Sequence, residues 1–267
     1  MRVHIVSDVH GRAAELSDIG NGADVVVCLG DLLLYLDYED PTKGAFAEIF
    51  GPEVTAENIR LRLAKRFDEA RELVTDAWFK RVERTGEDDR FALIEQIADR
   101  QYAEIFEALP DDAVFTFGNV DLPHVAQKHI KPGQRFFDAE VVELVGKRFG
   151  FVSGGLVSPY RTPNEAPVED FDRRVQQVVR QAQELGGLDV LCAHIPPSIP
   201  EITFDVVAKR FEVGSKSLVA AIEELQPTFN VFGHVHQPMY PRYQLGRTQC
   251  LNVGHFRSRR TPFVLDL

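Results

Sequence analysis

Cysteine is scarce in this chain of 267 residues, and so are long apolar runs and any excess of positive charge. The three cysteines, Cys28, Cys192 and Cys250, are odd in number, far apart, and each lies inside an apolar run. That pattern excludes a disulfide framework or a CxxC site and reads as buried, reduced thiols. No apolar run approaches the ~20 residues needed to span a bilayer. The chain opens on "RVHIVSD", which leaves no room for the charged and apolar regions of a secretory leader, so a cytoplasmic protein without membrane association is expected. The net charge of -11 argues against a broad nucleic-acid or anionic-membrane surface, which needs a basic face. An anionic substrate is still open, because a bound metal can reverse the local field. Repeats and low-complexity tracts are absent too. What is present, 44% hydrophobic and 27% charged residues, suits an ordinary globular chain long enough to bury a large core.

Short apolar runs bounded by Gly, Asp or Pro recur: "VHIVS" (3–7), "DVVVCLG" (24–30), "AVFTFG" (113–118), "DVLCAH" (189–194) and "FNVFGH" (229–234). Each is too short for a typical helix and most are rich in β-branched residues, so each reads as a buried strand. "EVVELVG" and "KRFGFVSGG" meet at Gly146-Lys147 as a hairpin, and "QCLNVG" and "FVLDL" form closing strands. Helical spacing marks 168–187, ending at a Gly pair, and 215–227, ending at Pro227. Strands alternating with helices predict an α/β protein with mixed sheets. From about residue 36 to 110 the signal is helical, and Ile59, Leu63, Phe67, Ala70, Val74 and Trp78 form one apolar stripe of an amphipathic helix packed on the core. The expectation is a single domain, 1–267, with a helical insertion at about 36–110.

The residues following the core strands carry the chemistry. Asp8 and His10 follow the first strand, in "SDVHG"; Asp31 follows the second, in "LGD"; Asn119 follows "AVFTF". "LDVLCA" leads into His194, and "NVF" into His234 and His236, in "GHVH". The chain has 8 histidines, and four of them stand at these strand ends. Ligand sites in open α/β sheets lie outside the carboxyl ends of strands, so the seven side chains should converge. Imidazole with carboxylate suits Zn, Fe, Mn or Co, and the lack of a Cys ligand argues against a structural zinc site. Seven ligands are too many for one tetrahedral ion. They suit two ions about 3.5–4 Å apart with a carboxylate bridging them.

In this order the residues resemble the calcineurin-like metallophosphoesterase family, whose pattern D-x-H, G-D, G-N-H-[DE], H, G-H-x-H appears as Asp8-Val9-His10, Gly30-Asp31, Gly118-Asn119-Val120-Asp121, His194 and Gly233-His234-Val235-His236. The resemblance runs from residue 4 to about 255, outside the insertion. It implies a four-layer αββα sandwich of two mixed β-sheets. It also implies two divalent or trivalent ions (Mn, Fe or Zn), one held by Asp8, His10, Asp31 and His236 and the other by Asp31, Asn119, His194 and His234. The reaction implied is hydrolysis of a small phosphorylated substrate by a hydroxide between the ions.

One position departs from the pattern. Val120 stands where the family usually places a His that protonates the leaving oxygen, steadied by the next acid, here Asp121. General acid catalysis is worth about 10²–10⁴-fold, so phosphodiesters with good leaving groups are favoured over monoesters. His124 and His255 are candidates to supply the proton instead. Arg161, in the Pro-rich loop "SPYRTP", is a candidate contact to a substrate phosphate. The alternative is a non-catalytic, metal-stabilised scaffold of the same fold, although all seven ligand positions keep ligating side chains. Oligomeric state is left open.

Overall fold

The computed structural model describes residues 1–267. The chain forms β1 (Arg2–Val6) and β2 (Val25–Cys28), then four helices, α1 (Ala45–Phe50), α2 (Pro52–Leu63), α3 (Phe67–Thr85) and α4 (Arg90–Ala108). There follow β3 (Val114–Phe115), α5 (Pro123–Ala126), β4 (Arg135–Phe136), β5 (Glu140–Leu144), β6 (Lys147–Val152), β7 (Gly155–Leu156), β8 (Glu165–Ala166), α6 (Val168–Glu184) and β9 (Val190–Ala193). The last part contains α7 (Pro200–Thr203), β10 (Phe204–Asp205), β11 (Arg210–Phe211), α8 (Lys216–Leu225), β12 (Phe229–Phe232), β13 (Arg242–Leu245), β14 (Thr248–Asn252), α9 (Phe256–Arg259) and β15 (Phe263–Asp266).

Two large sheets organise these elements. One has five strands in the order β15-β1-β2-β3-β4, the other six in the order β13-β14-β12-β9-β6-β5. Inner strands pair in parallel, while β15, β13 and β5 join as antiparallel edges, so both sheets are mixed. The period-two alternation of strand side chains decides the layering. Val3 and Ile5 of β1 pack with Val27 and Val114 against Phe149, Phe151, Val190, Cys192 and Val231 of the second sheet, which stacks the sheets face to face. Val6, Val26, Cys28 and Phe115 point the other way, onto Tyr102, Ile105 and Phe106 of α4. Val152, Leu191 and Phe232 meet Phe171, Val175 and Val178 of α6 and Leu218 and Ile222 of α8. The result is the expected αββα sandwich. Strands covered on both faces need apolar side chains at every position, which is why their sequences read as unbroken apolar runs.

The 140–152 hairpin forms as expected, turning at Val145 and Gly146, both at positive φ (49° and 75°), which matches the twist of the paired strands. The single stripe expected across 59–78 is not one helix. The chain breaks between α2 and α3: Arg66 N–H donates to Leu61 O and Lys65 N–H to Arg62 O, with Lys65 in the left-handed region at 59°. This is a Schellman stop, usually marked by Gly. It leaves Leu63 57% exposed instead of in the stripe. Between α3 and α4 a cavity of about 520 Å³ opens, lined by Trp78, Phe79, Arg90 and Phe91. No helix is long and apolar enough to cross a membrane.

Candidate metal centre

Parallel registry brings the strand ends level, with Val6 opposite Cys28 and Cys28 opposite Phe115. Beyond the sheet the chain continues in step: Asp8 N–H donates to Gly30 O at 3.0 Å, His10 N–H to Asp31 O at 3.0 Å, and Gly11 N–H to Leu32 O at 2.7 Å. In the second sheet Gly233 N–H reaches His194 O at 3.0 Å. The ligand candidates therefore descend from both sheets onto one rim. Four of them lie at positive φ, Asp8 (56°), His10 (43°), Asp31 (52°) and His234 (65°), where an L residue is strained. Such strain persists where the surroundings enforce it and gathers at functional sites.

The structure brings six of the seven into clusters of possible ligands and sets Asn119 beside them. Asp8, His10 and Asp31 form one, and Asp31, His194 and His234 another, each with ligand atoms within 4.8 Å of one another. His236 joins through Nε2, 3.2 Å from Asp8 Oδ1 and 3.4 Å from His10 Nε2. Asn119 joins through Oδ1, 3.1 Å from His194 Nε2. Its Nδ2 donates to Thr162 Oγ1 at 2.8 Å, which turns the amide oxygen toward the cluster.

The fit to metal can be judged from where the protons go. His194 Nδ1 faces Leu29 O (3.1 Å) and His10 Nδ1 faces Leu33 O (2.9 Å); a carbonyl only accepts, so each Nδ1 is the donor. Each Nε2 then presents a lone pair. That of His194 faces Asn119 Oδ1 and, at 3.3 Å, Asp31 Oδ2. That of His10 stands 3.9 Å from both Asp8 Oδ1 and Asp31 Oδ2. Nε2 of His234 is buried without a hydrogen-bond partner, and buried Oδ1 of Asp8 has His236 Nε2 beside it at 3.2 Å. Acceptors packed against acceptors need a proton or a cation between them, and a set of imidazoles and carboxylates without thiolate fits a divalent transition metal.

The titration behaviour agrees. Burial opposes charge on His194, yet the Asp31 carboxylate beside it raises the ring to about 9, so a proton takes the place of an ion. Burial also opposes charge on Asp8 and Asp31. The facing imidazoles overcome it, holding Asp8 well below the usual carboxylate range and lowering Asp31 as well.

Neighbours outside the clusters hold these groups in place. Asp121, fully buried, accepts from Asp31 N–H (2.9 Å), Leu32 N–H (2.9 Å) and Gly118 N–H (2.8 Å). Tyr102 of α4 donates to Asp121 Oδ1 at 3.3 Å and accepts from Leu122 N–H at 2.6 Å. A Cβ on Gly118 would overlap Asp31 Oδ1, and one on Gly233 would overlap Ser7 Oγ and Asp8 Oδ2, so these two motif glycines are demanded by close approach. Arg257 of α9 donates to His10 O at 2.6 Å and pairs with the buried Asp37.

The remaining sequence candidates fall in different places. Val120 is half-buried against the α4 layer, and its N–H donates to Asp31 Oδ1 at 3.0 Å. His124 is exposed on α5, where its Nε2 lies 2.7 Å from Glu95 Oε1, and the structure does not bring it into the clusters. His255 is brought in: its ring stacks on His236 at 4.0 Å and 4°. Burial, with His236 and His10 adding to it, pushes the His255 ring down to about 2. Arg161 is exposed at φ 51°, next to the Thr162 that holds Asn119. Tyr102, Thr162 and Arg257 were not legible as site residues. Each arrives through a contact distant in sequence, and none stands in a motif.

Comparison with known proteins agrees with this geometry. Residues 1–238 match the family model described as calcineurin-like phosphoesterase. The uncharacterized protein MJ1162 of Methanocaldococcus jannaschii is 26% identical over 151 residues, 56% of this chain, and the match spans only 65% of that relative's length. TT1561 of Thermus thermophilus superposes with a TM-score of 0.53 at 12% identity, covering 99% of this chain and 98% of its own. A second crystal structure gives 0.57 at 17% identity, covering 96% and 91%. These superpositions bear on the fold alone. The motif order, the rim of acceptors and the family match lead to one conclusion: the chain belongs to the calcineurin-like phosphoesterase family, which is metal-dependent.

Proposed function

We propose that this chain hydrolyses small phosphate esters with two metal ions and favours phosphodiesters over monoesters. Asp8, His10, Asp31 and His236 hold one ion, and Asp31, Asn119, His194 and His234 hold the other. The observation that supports the reading is the meeting of Asn119 Oδ1 (3.1 Å) and Asp31 Oδ2 (3.3 Å) at His194 Nε2: with Nδ1 committed to Leu29 O, the three atoms converge where a bound ion can replace the proton that the metal-free ring carries. When bound, the ions supply a hydroxide nucleophile at neutral pH and offset charge on the phosphoryl oxygens.

The protein's own groups prepare that chemistry. Leu29 O and Leu33 O fix the tautomers of His194 and His10, Thr162 orients the Asn119 amide, and Asp121 holds the Asp31 loop by accepting from Asp31 N–H and Leu32 N–H. The preference for diesters rests on Val120. Its side chain cannot protonate a leaving oxygen, so esters that need protonation lose about 10²–10⁴-fold. The test is metal-free protein reconstituted with manganese and assayed on bis-p-nitrophenyl phosphate and p-nitrophenyl phosphate, with Asp31→Ala as control. Turnover of the diester that vanishes in the control is expected. Bound metal without turnover above the control would overturn the reading in favour of a metal-stabilised interaction protein, and faster turnover of the monoester would overturn the preference.

A further inference from the structure

We infer that His255 is a fifth ligand of the ion held by Asp8, His10, Asp31 and His236. The inference rests on the two-ion reading above and adds a residue outside the motifs that suggested it. Nε2 of His255 is buried and has no hydrogen-bond partner. It belongs with His10 and His236 to a cluster whose ligand atoms all lie within 4.8 Å of one another. The rings are also in contact: His255 lies edge-on to His10 at 5.6 Å and flat on His236 at 4.0 Å, and because parallel stacked planes share no point, His255 turns about its Cβ–Cγ bond to bring its lone pair to an ion that His236 also holds.

The backbone around His255 is tied to both ligand-bearing loops it would serve. Asn252 Nδ2 donates to Gly233 O (3.3 Å) and Val235 O (3.0 Å), and its Oδ1 accepts from Gly254 N–H (2.8 Å). Just beyond His255, Phe256 N–H donates to Ser7 O at 2.9 Å and Arg257 N–H to Asp8 O at 3.1 Å. The residue is thus clamped between the loop carrying His236 and the loop carrying Asp8 and His10. Its second nitrogen is also accounted for. Nδ1 stands 2.9 Å from Ser258 Oγ, and when Nδ1–H donates there, Nε2 keeps its lone pair for the cluster. Ligating histidines usually have such a partner on the other nitrogen, which fixes ring and tautomer.

With His255 included, the first ion has three imidazoles and two carboxylates, against two imidazoles, one amide and one carboxylate on the second. The first ion therefore keeps fewer positions for water or substrate, and a substrate oxygen would find its open position on the second.

The test reads metal binding directly. In crystals of the zinc-loaded full chain, the anomalous signal should place one ion at about 2.1 Å from His255 Nε2. An ion bonded to His10 and His236 but out of bonding range of His255 overturns the inference. In solution, zinc titrated into metal-free His255→Gln, shown folded by circular dichroism, should lose at least about 10-fold in affinity at one site and nothing at the other, since even an outer partner of a ligand is worth 10–100-fold. Ser258→Ala should weaken the same site to a smaller degree. The visible spectrum of the cobalt-substituted protein should change in His255→Gln. Unchanged affinities and spectrum overturn the inference while leaving the phosphoesterase reading intact. A wild-type chain that binds no zinc overturns both.

Discussion

Tyr102→Phe removes one oxygen and leaves the ring, which is fully buried, in place. That oxygen is where the helices between β2 and β3 touch the site. It accepts from Leu122 N–H at 2.6 Å and donates to Asp121 Oδ1 at 3.3 Å. In the variant Leu122 N–H loses its partner in a partly buried position, a desolvation cost of about 1–3 kcal/mol. Asp121 loses a donor as well, and because that bond is long a further ~1 kcal/mol is assigned to it. The expected loss is about 2–4 kcal/mol, or roughly 4–7 °C in Tm for a chain of this size. Asp121 is the acceptor that positions the Asp31 loop, so affinity for metal should fall by roughly 10-fold through a group that touches no ligand. Guanidinium unfolding of the metal-free protein gives the first number and manganese titration the second. A loss under ~0.5 kcal/mol with unchanged metal affinity would refute the reasoning, because it would mean water replaces the hydroxyl at no cost.

Gly118→Ala places a methyl into the Asp31 carboxylate and backbone, so it should cost about 3 kcal/mol or more and abolish binding of at least one ion by manganese titration. Val120→His should raise turnover of esters with poor leaving groups more than good ones, by up to about 10²-fold, and a flat leaving-group dependence would show that the position does not face the leaving oxygen. In the metal-free protein His194 is raised from 6.5 to about 9, so its ion pair with Asp31 contributes stability that is full below pH 6.5 and is lost as pH rises through about 9. Metal must displace that proton. Apparent affinity should therefore climb by roughly tenfold per pH unit up to about pH 9, with proton release measurable by an indicator dye, while metal-free stability moves the opposite way.

The residues that meet at the rim were legible because each stands directly after an apolar strand, and parallel strands level their ends in one place. The layers were legible for a related reason: a strand covered on both faces needs apolar residues throughout. The signal failed where backbone geometry departed from its usual residue. Lys65 occupies a left-handed position that Gly usually marks, so the break between α2 and α3 left no trace in the composition. β10, β11 and β13 were missed because they are short and partly exposed, with no apolar run to announce them. Tyr102 was read as one more member of a helical stretch. Its ring is indeed core, and only the fold reveals that its hydroxyl reaches Asp121.

The strained rim residues and the helical segment bear on one physical problem. Asp8, His10, Asp31 and His234 all sit at positive φ, at a cost of order 1–3 kcal/mol each for residues other than glycine. Their acceptors also face one another, which opposes collapse of the rim before any cation arrives. Something else has to hold that geometry, and the contacts show what does. The Asp31 loop is fastened by two N–H bonds to Asp121, from Asp31 and Leu32, Asp121 by Gly118 N–H and by Tyr102 of α4, and His10 by Arg257 through its carbonyl. Gln101, also on α4, closes the same loop from outside, accepting from Leu34 N–H at 2.8 Å and donating to Leu34 O at 3.2 Å. The helices between β2 and β3 thus stabilise the rim whatever they do toward a substrate. Their removal should cost metal binding before it costs the stacked sheets, because the apolar contacts between the sheets include none of their residues.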